Sequence, residues 1–180
     1  MEKALIVIDM QMLIQDRLDA GRDHVNGNAA AKIADLAKKF RDAGKKVIHV
    51  HHHELNPASP MHKGCPAQQA MPALQPFADD PIFVKSTSSA FASTEMEKYL
   101  RENRIGTIVV TGAVAGYCVN TTVRAGSDLG FEMIVARDAV IGFDMPDYDL
   151  PARTIFDVTM AHLESDFARV IDSDEIMEML

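Results

Sequence analysis

Along this chain short apolar runs alternate with stretches of helical period. Ala4 to Ile8, Val47 to Val50, Pro81 to Lys85, Thr107 to Thr111 and Glu132 to Ala136 are brief and mostly β-branched or bulky, and polar or glycine positions bound them. That is the pattern of strands covered on both faces. Between them, Asn28 to Ala43 places Ile33, Leu36, Ala37 and Phe40 on one helical face and Lys and Arg on the other, with Gly44 as a stop. Ser93 and Thr94 with Glu97 read as a capping box for a helix carrying Met96, Tyr99 and Leu100 and closing near Gly106. Val119, Val123 and Leu129 recur at helical spacing up to Gly130, and Leu150 to Leu163 reads as a further helix. Phe167 to Ile171 is a last strand, and Asp172 to Leu180 a terminal helix capped by Asp172 or Ser173.

Strands alternating with helices predict an α/β, three-layer α-β-α fold with a mostly parallel central sheet and right-handed crossovers. With no repeat or linker, residues 1–180 are expected to form a single domain. Glu54 to Asp80, rich in Pro, Ala and Gln, is a long connection expected to hold only short helical pieces and to shape specificity.

Composition narrows the function. A formal net charge of −8 without clustered Lys or Arg argues against a nucleic-acid partner. No hydrophobic run is long enough to span a bilayer, the start MEKALIVIDMQ lacks a cleavable leader pattern, and two cysteines make no disulfide framework. A cytoplasmic protein is expected, with a small-molecule partner rather than a membrane. The GxGxxG and P-loop patterns are absent, which removes the main support for nucleotide binding.

Three predicted strands lead to reactive groups: Asp9, Lys85 and Cys118. In an open parallel sheet the strand C-termini share the edge where ligands bind, so these residues can converge. A thiol in the first helical turn faces free N–H groups and the positive end of the helix dipole, and a nearby lysine favours thiolate more strongly still. Asp9 opposes that charge and is the candidate general base, sharing one proton with Cys118. The backbone N–H groups near Val114 and Cys118 are candidates for an oxyanion hole. Each residue has a plainer reading: Cys118 as a buried hydrophobe, Asp9 as a helix cap, Lys85 as a solvated strand end.

Four stretches, LIVIDMQ at Leu5 to Gln11, SPMHKGCPA at Ser59 to Ala67, FVKSTSSAF at Phe83 to Phe91 and VVTGAVAGYCVNTTVRAGSDLGFEMIVARDA at Val109 to Ala139, give the chain its likeness to known proteins. It resembles the isochorismatase-like cysteine hydrolases, which include nicotinamidases, carbamoylsarcosine amidases and ureidoacrylate hydrolases. The resemblance implies a catalytic triad of Asp9, Lys85 and Cys118, a non-proline cis peptide at Ala113-Val114 that aims the Val114 N–H into the oxyanion hole, and a homo-oligomer. It further implies hydrolysis of a non-peptide C–N bond of a small molecule through a thioester, with no cofactor. Isochorismatases that cleave a vinyl ether lack the cysteine, so Cys118 argues against that reaction. Nicotinamidases carry an Asp-x-His pair after the second strand that helps bind a metal; His51-His52-His53 stands there instead, which weakens both that assignment and a metal.

If the strand runs on through the histidines, His49, His51 and His53 share one face as an alternative metal cluster. Phe91 and Tyr117 are candidate apolar walls for the substrate and Gln11 a candidate polar contact, with core packing an equal alternative for each. Cys65 reads as a bystander thiol, with a regulatory disulfide to Cys118 as the alternative. A catalytically quiet binding or assembly protein, and a metal-assisted amidase, remain rival functions.

Overall fold

The computed structural model describes residues 2–180. In chain order the elements are β1 (Glu2–Ile8), α1 (Met12–Asp19), β2 (His24–Val25), α2 (Ala29–Asp42), β3 (Lys46–His52), β4 (Ile82–Lys85), α3 (Met96–Glu102), β5 (Ile105–Ala113), α4 (Asn120–Asp128), β6 (Glu132–Phe143), α5 (Ala152–Asp166), β7 (Arg169–Ile171) and α6 (Ser173–Glu178). They form one seven-stranded sheet in the order β2-β6-β5-β1-β3-β4, with β7 also paired to β6. All pairings are parallel except that of β2 with the far end of β6. This is the predicted α/β, three-layer architecture.

Strand alternation divides the core in two. Along β1, Ala4, Ile6 and Ile8 join the cluster that includes Leu100 of α3, Val123 of α4 and Phe156 of α5, while Leu5 and Val7 join Ile14 of α1, Ile33, Leu36 and Phe40 of α2 and Ile176 of α6. A strand that must bury both faces has no place for polar alternation, which is why its sequence reads as a continuous apolar run.

Several local expectations are corrected. Helix α1 lacks a predicted counterpart, since Ile14 is its one fully buried residue and its period is faint. The capping box does not form: the Thr94 hydroxyl accepts the Met96 N–H, while Glu97 pairs with Arg101 one turn on. Neither Asp172 nor Ser173 caps α6 with its own side chain; the Asp138 carboxylate takes both the Ser173 N–H and its hydroxyl, and Lys32 as well. Strand β6 does not stop at Ala136 but bulges through Arg137, Asp138 and Ala139 and continues to Phe143, shifting its register against β5. The connection after β3 holds only the short 3₁₀ turns Pro66–Gln68 and Pro72–Leu74.

One glycine sets how closely the central strands end together. At Gly112, φ is +114°, and a Cβ there would lie 2.0 Å from the Ile8 carbonyl oxygen. Any side chain would push β5 away from the end of β1.

Candidate active site

The carboxyl ends of β1, β4 and β5 deliver the three reactive side chains to one place. Asp9 follows β1 with φ +51°, its N–H donating to Val50 O at 2.8 Å, so β3 holds the backbone that carries the carboxylate. Lys85 ends β4 and is 0% exposed. Its Nζ lies 2.8 Å from Asp9 Oδ2 and 3.2 Å from Cys118 Sγ. Asp9, Lys85 and Cys118 are thus within direct reach of one another.

Cys118 does not stand in the first turn of a regular α-helix. It lies in a π-turn, Ala115–Val119, that precedes α4. There the Val114 carbonyl accepts from Tyr117 N–H at 2.9 Å and from Val119 N–H at 3.4 Å, while Asn120 N–H reaches back to Ala115 O. The Val114 and Cys118 N–H groups take no part in these bonds. The peptide Ala113-Val114 is cis.

Electrostatics change the expected weight of Lys85. Burial pushes the Cys118 thiol up to about 11, Asp9 adds to the rise, and Lys85 opposes it without prevailing. Burial, and not the lysine, is therefore the larger influence on the sulfur, and it favours the thiol. Asp9 Oδ1 is buried and has no hydrogen-bond partner, so one carboxylate oxygen is open to receive a proton.

A fourth group belongs here to which the sequence alone assigned no role. His52 faces Lys85 across the β3–β4 register, with its Nδ1 3.2 Å from Lys85 Nζ. Burial, then Lys85, lower its pKa, so the imidazole is neutral and Nδ1 accepts from the lysine. Thr87 O, 3.1 Å from the same Nζ, completes a cage of four acceptors around three N–H donors. The signal was in the sequence: on a two-residue period His52 lies opposite His49, His51 and His53.

Those three histidines do share a face, but they do not make a metal centre. His49 and His51 meet edge to face at 6.2 Å, His53 contacts the Gln68 amide, and burial with neighbouring imidazoles pushes His51 down to about 4. No group of three or more His, Cys, Asp or Glu among the described residues is placed to hold a metal ion. His49 belongs instead to a second charged trio. Arg41 of α2 grips both oxygens of Asp80, Phe77 N–H donates to Asp80 Oδ2 at 2.9 Å, and His49 Nε2 stands 3.5 Å from the same oxygen.

The remaining predicted contacts divide. Tyr117, 55% exposed, lines the cavity of about 380 Å³ onto which Asp9 and Cys118 open. Phe91 does not: it stacks on Phe131 at 5.8 Å and packs into the core, because its loop turns away toward α4. Gln11 is 0% exposed and its amide is engaged by the chain, donating to His52 O at 3.1 Å and Gln68 O at 2.6 Å and accepting from His52 N–H at 2.8 Å. It braces the end of β3 and is also among the residues that line the cavity. Cys65 is a free thiol, 3.7 Å from Ser59 O.

The cavity also contains residues that no motif flagged. Arg17 of α1, Arg22, Phe143 and Asp144 are among its lining residues. Arg22 closes on Asp144, donating through Nε to Oδ1 and through a terminal nitrogen to the backbone carbonyl, both at 2.7 Å.

Comparison with known proteins agrees with this architecture. The isochorismatase domain profile matches residues 3–175. YrdC of Bacillus subtilis strain 168, an uncharacterized isochorismatase family protein, is 31% identical across 98% of this chain and 95% of its own. N-carbamoylsarcosine amidase of Arthrobacter is 37% identical over 67 residues, 37% of this chain and 25% of that one. Among solved structures, a cysteine hydrolase from Pseudomonas syringae pv. phaseolicola superposes with a TM-score of 0.90 at 25% identity, covering 98% of this chain and 91% of its own.

Proposed function

From the premise that the chain belongs to the isochorismatase family of hydrolases, we propose that it cleaves a non-peptide C–N bond, amide or ureido, of a small molecule, with Cys118 as nucleophile. One observation carries this reading. Lys85 Nζ touches both Asp9 Oδ2 and Cys118 Sγ, at 2.8 and 3.2 Å, from behind the cavity wall that Asp9 and Cys118 line.

In this mechanism a substrate carbonyl enters the cavity and displaces water from the thiol. Sγ attacks the carbonyl carbon while the thiol proton passes to Asp9, whose Oδ1 has no other partner. The oxyanion that develops is held by the N–H groups of Val114 and Cys118. Collapse breaks the C–N bond, and the leaving nitrogen takes the proton back from Asp9. Water then attacks the thioester, giving a proton to Asp9 that returns to sulfur as the acid or carbamate departs. Lys85 stays hydrogen-bonded to Asp9 throughout and offsets the negative charge that moves between oxygen and sulfur.

A panel of primary amides and N-carbamoyl compounds tests the reading. Turnover in the native protein should vanish in Cys118→Ala, and rapid quenching should trap the acyl group on Cys118 as a mass increase. Full turnover by Cys118→Ala would sink the mechanism. No turnover on any C–N substrate would favour a binding role. We also infer a homo-oligomer, supported by the outward Ile82 and Val84 of edge strand β4; light scattering that reads a monomer would remove it.

A further inference from the structure

Around the cavity every charged side chain but one is compensated or open to water. Lys85 has Asp9, Arg22 has Asp144, and Glu54, half exposed, approaches His52 at 4.0 Å. Arg17 has nothing: among the described residues no carboxylate or carbonyl pairs with its guanidinium. It is nevertheless partly buried, in the wall that also holds Tyr117 and Cys118. A guanidinium in that position has been taken part-way out of water without the acceptor that would offset the loss.

Its surroundings keep it there and keep it unpaired. The guanidinium carbon lies 5.9 Å from the centre of the Phe143 ring, and Arg22 flanks the same ring at 5.3 Å. Burial and the like charge of Arg22 both press the Arg17 pKa down. Arg22 takes Asp144 through Oδ1 and through the backbone carbonyl, both at 2.7 Å, and among the described residues no bond or ion pair runs from Arg17 to this carboxylate. Arg17, Arg22 and Asp144 together therefore leave one uncompensated positive charge on this wall of the cavity. The five N–H donors of a guanidinium suit a planar, bidentate acceptor.

We propose that Arg17 is the receptor for a carboxylate on the substrate, so that the molecule cleaved at Cys118 is a small amide or ureido compound that also carries an acid group. The proposal rests on the hydrolase reading for the bond broken, but the receptor is defined by the cavity itself. Its role is to orient: with the acid group on Arg17 and Phe143 beneath it, the carbonyl end of a short molecule is left to face the thiol.

The test separates the receptor from the chemistry. In a Cys65→Ala background, Cys118 is alkylated with matched pairs of probes: the iodoacetyl derivatives of glycine and β-alanine, and their neutral primary amides. The ratio of acidic to neutral probe rates reports anion recognition whether or not the protein hydrolyses anything. With Arg17 in place this ratio should exceed that of free cysteine for at least one pair. Arg17→Gln should lower it about 10- to 100-fold, the range of one hydrogen bond to a charged group, while the neutral probes react at an unchanged rate. Arg17→Lys should keep part of it. A ratio untouched by Arg17→Gln overturns the receptor, and so does an equal loss for acidic and neutral probes, since that would mean Arg17 only holds the fold. Turnover of N-carbamoyl acids by native protein and its loss in Cys118→Ala is read separately, so failure of the hydrolase reading leaves the probe ratios standing.

Discussion

Lys85, Asp9 and Cys118 at the carboxyl edge of the sheet, and Arg41, Asp80 and His49 beside α2, are built from the same parts: a cation, a carboxylate and a third titratable group. In the second trio Asp80 is saturated. Arg41 takes both its oxygens, Phe77 N–H adds a third bond, and Arg41 is stacked on the Phe77 ring at 3.9 Å. In the first, Lys85 occupies only one oxygen of Asp9, and the other is buried without a partner. The difference teaches that charge density does not mark a reactive site. The proposed reaction needs an open carboxylate oxygen beside a thiol; in the second trio the buried atom without a partner is instead His49 Nε2, beside a carboxylate already bonded to Arg41.

Turnover should separate the trios most widely. Cys118→Ala should lower hydrolysis of a responsive C–N substrate by at least about 10⁴-fold, whereas His49→Gln should stay near native activity, both read as initial rates. Stability should separate them in the opposite sense. Asp80→Asn leaves Arg41 without its partner in a mostly buried pair and should cost about 2 kcal/mol after allowance for solvent screening, measured as a shift in urea midpoint, with specific activity retained. If His49→Gln abolished turnover, the contrast would fail.

Alkylation sharpens it. Because Asp9 helps hold the thiol proton in place, Asp9→Asn should raise the iodoacetamide rate of Cys118 at pH 8 by about 10-fold even as hydrolysis is lost. Replacing Lys85 by Met should slow the same reaction. An unchanged rate in Asp9→Asn would mean that burial alone, and not the carboxylate, sets the thiol.

The smallest effects are on stability against pH, and they fall at opposite ends of the scale. Cys118 is raised from 9.0 to about 11 in the fold, so its contribution is fully present below pH 9 and lost as pH rises toward 11. Asp80 is depressed from 3.8 by Arg41 and the Phe77 N–H, which outweigh its burial, so its contribution is present above pH 4 and lost as pH falls through the folded value. The urea midpoint of native protein relative to Cys118→Ala should therefore converge in alkali, and relative to Asp80→Asn in acid.

Most of the frame could be read from residue types because the central strands are buried on both faces and announce themselves as apolar runs. Asp9 and Lys85 were legible for the same reason: a polar residue that ends such a run must sit at the sheet edge. Helix α1 was not, since one buried side chain leaves almost no period, and with it went Arg17. The two-residue period set His52 apart from its neighbours, but only the pairing of β3 with β4 shows that its face meets Lys85. Phe91 lay in the right motif, yet motif membership does not say whether a side chain points to the cavity or back into the core. The thiol's charge state was beyond sequence because desolvation depends on what covers the sulfur, and that is settled only by the packed fold.

The π-turn before α4 has a consequence for how the nucleophile can be altered. A π-turn holds one residue more than an α-helical turn, and each residue of a helix advances the side chain by about 100°. The bearing of Cys118 is thus written in a residue count rather than in any residue's identity. Removing Gly116 would leave Asp9, Lys85 and Cys118 all present in the chain and swing the sulfur away from both. Scans that exchange one residue for another would not detect this, because the information is carried by length alone.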